Sequence, residues 1–112
     1  MTPANVWMIL YVQMLRFEWD KAKNETNKAK HGIDLETAQL VFDDPFCLTF
    51  VERFRDGEER WHALGTIQHV IVLVVVHTYS QKDSDEVIRI ISARCATRGE
   101  RKLYAQAISE ET

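Results

Sequence analysis

Val87 to Tyr104, VIRIISARCATRGERKLY, reads as a strand, a short corner and a helix, and it carries five of the chain's 14 Lys+Arg residues. Val87, Ile88, Ile90 and Ile91 supply the β-branched content of a strand covered at least partly on both faces. Arg89 and Arg94 interrupt it, and a strand built only to fill a core has no use for them. Thr97 with Glu100 forms a capping box, the hydroxyl taking one free amide of the first turn and the carboxylate another, so a helix starts at Arg98. Its apolar side is Leu103, Tyr104, Ala107 and Ile108, which leaves Arg98, Arg101 and Lys102 nearer solvent. A basic corner is expected where sheet meets helix. Arg89 and Arg94 lie an odd number of positions apart, and a regular strand sends them to opposite faces unless a bulge intervenes.

Upstream, Val70 to Val76 is an unbroken apolar run that suits a central strand covered on both sides. Asp56-Gly57 is a strong hairpin signal. As a two-residue turn it pairs Arg53 with Arg60, Glu52 with Trp61, Val51 with His62 and Phe50 with Ala63. Alternation then sets Arg53, Arg60 and His62 on one face and Phe50 and Trp61 on the other. Like charges directly opposite are unfavourable unless an anion or acid lies between them, so this face suggests an anion site. Gly65 to His69 is expected to turn the chain, and Gln81 to Asp85 to turn it again.

Nearer the start, Phe17-Glu18-Trp19 reads as a strand with Phe17 and Trp19 on one face. Asp20 caps a helix over 21–31, and Gly32 ends it. Only Ala22 and Ala29 in that helix are apolar. Its periodic stripe is polar instead, with Lys23, Asn27 and Lys30 on one line and Asn24, Asn27, Lys28 and His31 on another. Asp34, Leu35, Ala38, Leu40, Val41 and Phe42 make a second, amphipathic helix that Asp44-Pro45 ends. The expected plan is α+β, a β-α-α opening followed by a four-stranded antiparallel meander and a C-terminal helix.

A chain of 112 residues with 46% hydrophobic content suits one domain. Residues 1–13 read as an N-terminal extension and 14–112 as the domain proper, with Met14 an equally good start. The apolar run from Val6 to Leu15 is too short to span a bilayer and lacks the features of a signal peptide. Cys47 and Cys95 suggest reduced thiols of a cytoplasmic protein and no disulfide framework. The net charge of −3 argues against whole-chain attraction to nucleic acid, but the basic residues fall in two blocks, 21–30 and 89–102. No metal constellation, phosphate loop or nucleophile with an obvious base is visible, and no cofactor is expected.

What remains is a set of Lys, Arg and His groups. Metal-free RNA cleavage needs such parts: a base for the 2′-hydroxyl, an acid for the leaving 5′-oxygen and cations for the charge that develops on phosphorus. His31 suits either proton-transfer role, and Lys30, Arg89 and Arg94 suit phosphate.

A set of blocks in this chain resembles the BrnT toxin family. They are Trp19-Asp20, Lys23, Asn27 and Lys30-His31-Gly32; Glu36, Ala38 and Val41-Phe42 ahead of Asp44-Pro45; Gly57-Glu58-Glu59-Arg60-Trp61 and Leu64-Gly65; and Arg89-Ile90-Ile91-Ser92-Ala93-Arg94 with Ala96-Thr97, Glu100-Arg101 and Tyr104. Cys95 and Gly99 depart from that pattern, where an arginine and a charged residue are frequent. The resemblance implies a compact RelE-like ribonuclease of a type II toxin–antitoxin system that cuts RNA and arrests translation. It also implies a BrnA-type ribbon-helix-helix antitoxin, through which alone the complex would meet operator DNA. Catalytic roles are expected for Lys30, His31, Arg60, Arg89 and Arg94, and RNA binding for Lys23, Asn27, Arg53, His62, Arg98 and Tyr104. An alternative is a catalytically weak subunit that binds the antitoxin and acts in operon autorepression.

Overall fold

The computed structural model describes residues 15–111, so the expected extension 1–13 and the start at Met14 lie outside the described residues. In chain order the elements are β1 (Leu15–Trp19), α1 (Lys21–His31), α2 (Leu35–Ala38) running into a 3₁₀ segment (Gln39–Asp43), β2 (Leu48–Arg55), β3 (Glu58–Ile67), β4 (Ile71–Lys82), β5 (Asp85–Cys95) and α3 (Arg98–Glu111). The four strands of the meander are antiparallel neighbours, and β1 joins the far side of β5 in parallel, giving the order β1-β5-β4-β3-β2. The expected α+β plan is found.

The local signals explain the element ends. Asp20 accepts from the Lys23 amide at 2.9 Å, and Gly32 adopts a left-handed φ of 71° while its amide reaches the Lys28 carbonyl at 2.8 Å. The capping box at α3 closes in both directions, the Thr97 amide donating to Glu100 at 2.8 Å and the Glu100 amide to the Thr97 hydroxyl at 3.2 Å. Asp56 and Gly57 both take positive φ, as the two-residue hairpin turn requires.

Three expectations give way in this part of the fold. The second helix has only one α-helical turn before it tightens to 3₁₀, although Leu35, Ala38 and Val41 are fully buried as its apolar spacing requires. Gly65 lies inside β3 and makes no turn. A Cβ there would come within 2.9 Å of Val41 Cγ1, so the glycine serves close approach of the 3₁₀ segment to the sheet. The turn falls later, at Gln68 and His69, which both have positive φ. Leu103 is 45% exposed, and α3 seats itself instead through Tyr104, Ala107 and Ile108.

The hairpin register follows expectation next to its turn, with Arg53 opposite Arg60, and then slips. Glu52 is an extra residue, so Val51 meets Trp61 and Phe50 meets His62. A second slip occurs in β5. Val76 pairs with Ser92 and His77 with Ile90, leaving Ile91 as the extra residue.

The sheet has two different faces. Ala63, Leu73, Val75, Ile88, Ile90 and Ala93 pack against Leu35, Ala38 and Val41, with Phe17, Trp19, Phe42 and Tyr79 around them. His77 is buried here, its Nδ1 3.0 Å from the Val75 carbonyl and its ring edge-on to Phe42 and Tyr79. On the opposite face Leu64 and Val74 pack with Ala96 and Tyr104, flanked by Phe46, Leu48, Phe50 and Ile108.

Candidate functional site

On the face that carries α3, the strand pairings line residues up in rows across the sheet. One row is Leu48, Leu64, Val74 and Arg94, the apolar part of which α3 helps to cover. The next is Phe50, His62, Val76 and Ser92. Beyond it Arg53 stands opposite Arg60, and Arg89 stands opposite Thr78, with Glu18 of β1 on the other side of Arg89. The β3–β4 register continued one step past Trp61 and His77 sets Arg60 beside Thr78, so the row reads Arg53, Arg60, Thr78, Arg89, Glu18.

The bulge at Ile91 is what assembles this surface. It supplies the extra position that turns Arg89 onto the same face as Ser92 and Arg94, and with them onto the face of Arg53, Arg60 and His62. Adjacent strands are about 4.8 Å apart, which puts the backbones of Arg89 and Arg60 roughly 10 Å from one another, with Thr78 between. Arg53 and Arg89 are exposed and Arg60 is half-buried. Arg60 Nε is enclosed without a hydrogen-bond partner, and neither Arg60 nor Arg89 is ion-paired among the described residues. Such guanidinium groups favour an oxyanion.

His62 is half-buried in the second row, its ring 5.5 Å from that of Phe50. Burial holds its pKa below the ordinary 6.5; the charges that act on it are Glu52 and Glu100, which oppose that shift, and Arg94 and Arg53, which add to it.

Arg94 shares the face but is not free. Its Nη1 and Nη2 reach the two Glu100 oxygens at 2.8 and 3.0 Å, and this fork holds the Glu100 carboxyl down at about 2. The expectation of an open phosphate ligand at Arg94 is therefore not met; the guanidinium instead ties β5 to the first turn of α3. Arg98 is exposed at the start of α3, where the basic corner was expected.

The α1 residues divide. Lys23, Thr26, Lys30 and His31 line one groove with Ile91 and Ser92 of β5, so the helix flanks the open edge of the strand next to the bulge. Lys23, Lys30 and His31 are exposed. Asn27 is a correction. It is buried, its Nδ2 donating to the Ile33 and Ala93 carbonyls at 2.9 and 3.0 Å while its Oδ1 accepts from the Ala93 amide at 3.1 Å. With every polar atom committed to backbone, it has nothing left for RNA. Asn24 acts similarly, accepting from the Leu35 amide at 2.8 Å. The polar stripe of α1 is in part its means of attachment.

Tyr104 is the second correction. It is buried, and its hydroxyl donates to Asp44 Oδ2. Asp44 also accepts from the Phe46 amide at 2.9 Å, the Thr66 amide at 2.8 Å and the Thr66 hydroxyl at 3.1 Å. Burial alone would raise the Asp44 pKa, but Tyr104 and these other donors hold it below the usual carboxylate value. In the sequence Asp44 has the signature of a helix stop and nothing more. That it gathers the 3₁₀ segment, β3 and α3 depends on contacts up to 60 positions away, which no local pattern announces.

Among the described residues no three His, Cys, Asp or Glu side chains gather as metal ligands, and no helix is long and apolar enough to cross a membrane.

A family profile described as "Ribonuclease toxin, BrnT, of type II toxin-antitoxin system" matches residues 19–100. The chain belongs to the BrnT family. That span runs from the end of β1 through the bulged β5 to Glu100, so it takes in the arginine row, the α1 groove and the capping box. The fold agrees with a solved BrnT, the Brucella abortus ribonuclease toxin, at a TM-score of 0.57 and 26% identity over 77% of this chain and 100% of that one. No curated protein matches the chain. Membership in this BrnT family makes the chain the ribonuclease-toxin component of a type II system, with an antitoxin as partner.

Proposed function

We propose that this BrnT-family toxin is an endoribonuclease that cleaves RNA without a metal ion and so inhibits translation in the cytoplasm, until a BrnA-type ribbon-helix-helix antitoxin neutralises it. Operator DNA would be met only through that antitoxin. The observation that carries the reading is the bulge at Ile91, which gives Arg89 the same sheet face as Arg53 and Arg60.

On that surface Arg60 and Arg89 are the catalytic cations. They meet the scissile phosphate and offset the charge that grows on its oxygens as the 2′-oxygen attacks. Lys30 and His31 lie along the flanking groove and are the candidates for proton transfer on that side. Arg53, His62, Lys23 and Arg98 extend the surface that holds the RNA strand. Arg94 contributes by fixing Glu100 and the start of α3. Asn27 and Tyr104 have no part in contacting RNA.

The test is purified toxin incubated with a defined RNA in excess EDTA. Cleavage by the natural chain, lost by about two orders of magnitude in a folded Arg89→Ala variant, is the expected result. Intact RNA at high toxin concentration would leave the antitoxin-binding subunit as the better reading. A metal requirement would remove the metal-free claim alone.

A further inference from the structure

We infer that His62 is the proton acceptor for the RNA 2′-hydroxyl in this toxin, an assignment that rests on the ribonuclease reading above and names the chemistry of one residue in its site. His62 occupies the middle of the second row, next to Arg60 on β3, between Phe50 on β2 and Val76 on β4. It stands at the boundary between the apolar floor that α3 helps to cover and the arginine row beyond. A nucleotide phosphate held by Arg60 and Arg89 therefore lies beside the imidazole. The groups whose charge acts on His62 are Glu52 and Arg53 from β2, Arg94 from β5 and Glu100 from α3. Glu52 and Arg53 pair with each other at 3.1 Å, and Arg94 and Glu100 pair at 2.8 Å, so much of their charge is offset within each pair. Burial then dominates and keeps the ring neutral at neutral pH, the state a base needs.

By contrast, His77 is enclosed on the opposite face between Phe42 and Tyr79, where the charge of His62 reaches it through the sheet and opposes its protonation. His69 lies in the β3–β4 turn, and His31 ends α1.

The imidazole nitrogen takes the proton from the 2′-hydroxyl as the 2′-oxygen forms its bond to phosphorus, and the bond from phosphorus to the 5′-oxygen breaks. The leaving oxygen takes a proton from Lys30 or His31 of the flanking groove, that group regains one from water, the imidazolium returns its proton to the hydroxide so formed, and a 2′,3′-cyclic phosphate remains.

Two measurements test the assignment. The first compares the pH dependence of kcat and KM for the natural chain and His62→Gln on one short RNA. The expected loss in kcat is about 10²–10⁴-fold, with the acid-side limb of the natural profile absent from the variant. A folded His62→Gln variant that keeps kcat and the acid limb overturns the His62 assignment and leaves the ribonuclease reading intact. Absence of any cleavage by the natural chain, with or without divalent metal, overturns both. The second uses the natural chain alone, so it stands even if the variant fails to fold. NMR titration of the His62 ring is followed with and without an uncleavable oligonucleotide carrying a 2′-deoxy residue at the cut site. A bound phosphate beside the ring raises its pKa; a titration unchanged by saturating oligonucleotide overturns the assignment.

Discussion

The two faces of the same five-stranded sheet are put to opposite uses. On one, Leu35, Ala38 and Val41 close over Ala63, Val75 and Ile90, and even the histidine at its centre is sealed from solvent. On the other, α3 seats Tyr104 against Leu64 and Val74 and leaves the row that starts at Arg53 and Arg60 to carry charge. Alternate residues of each strand serve the two faces, so one backbone both stabilises the molecule and presents its cations. A substitution should therefore disturb folding or chemistry according to its parity along the strand.

The largest break in this contrast is expected on the sealed face. Leu35 is fully buried, and Leu35→Ala should cost about 2–5 kcal/mol in denaturant unfolding. Cleavage per folded molecule should stay near that of the natural chain. Loss of cleavage in the fraction shown to be folded would mean that the faces are not separable.

The converse experiment is Arg60→Ala with Arg89→Ala. Cleavage should fall by at least about 10²-fold, or about 2.7 kcal/mol in the barrier. The denaturation midpoint should move little or rise, because Arg60 stands opposite Arg53 and that repulsion is relieved. A large fall in stability would show the arginine row to be structural.

At the seam between the faces, Asn27→Ala leaves the amide and carbonyl of Ala93 and the carbonyl of Ile33 without the partner they have now. Unsatisfied interior groups cost about 1–3 kcal/mol each, and a loss of at least about 2 kcal/mol in chemical denaturation is expected. Hydrogen exchange at the Ala93 amide should accelerate with it.

A smaller effect is expected from Glu100→Gln, about 1 kcal/mol, and it carries a pH signature. Glu100 titrates at about 2 in the folded chain and ordinarily at 4.5. Its contribution is therefore complete above pH 4.5 and is lost as pH falls from there toward 2. The variant should lack this part of the acid destabilisation, which paired denaturation curves at pH 6 and pH 3 would detect. His62 acts in a neighbouring window, since a depressed histidine pKa removes stability as pH drops through 6.5. Least of all, Leu103→Ser should change stability by no more than about 0.5 kcal/mol, because Leu103 faces solvent on a helix seated through Tyr104.

Features fixed by a few neighbouring residues were legible in the sequence. The caps at Asp20, Gly32 and Thr97 and the turn at Asp56-Gly57 all depend on contacts within a few positions. So did the parity that puts Phe17 and Trp19 with the sealed core. Features settled across the fold were hidden. Gly65 resembled a turn because the helical segment that crowds it ends more than 20 residues earlier. The bulge at Ile91 comes directly after Ile90, the last β5 residue that β1 pairs with, and just before Asn27 takes hold of Ala93. Strand alternation alone had Arg89 and Arg94 parted. The family blocks marked Asn27 and Tyr104 for RNA, but residues indispensable to a fold recur in such blocks as readily as residues that touch a substrate.

Asn27 engages both polar groups of Ala93 much as the backbone of a neighbouring strand would. Beyond the end of β1, then, the outer margin of β5 is already plugged by a single side chain and offers no foothold to an incoming peptide. Strand pairing leaves the outer sides of β1 and β2 as the margins of the sheet, so a visiting strand would have to add beside one of those two and not beside β5.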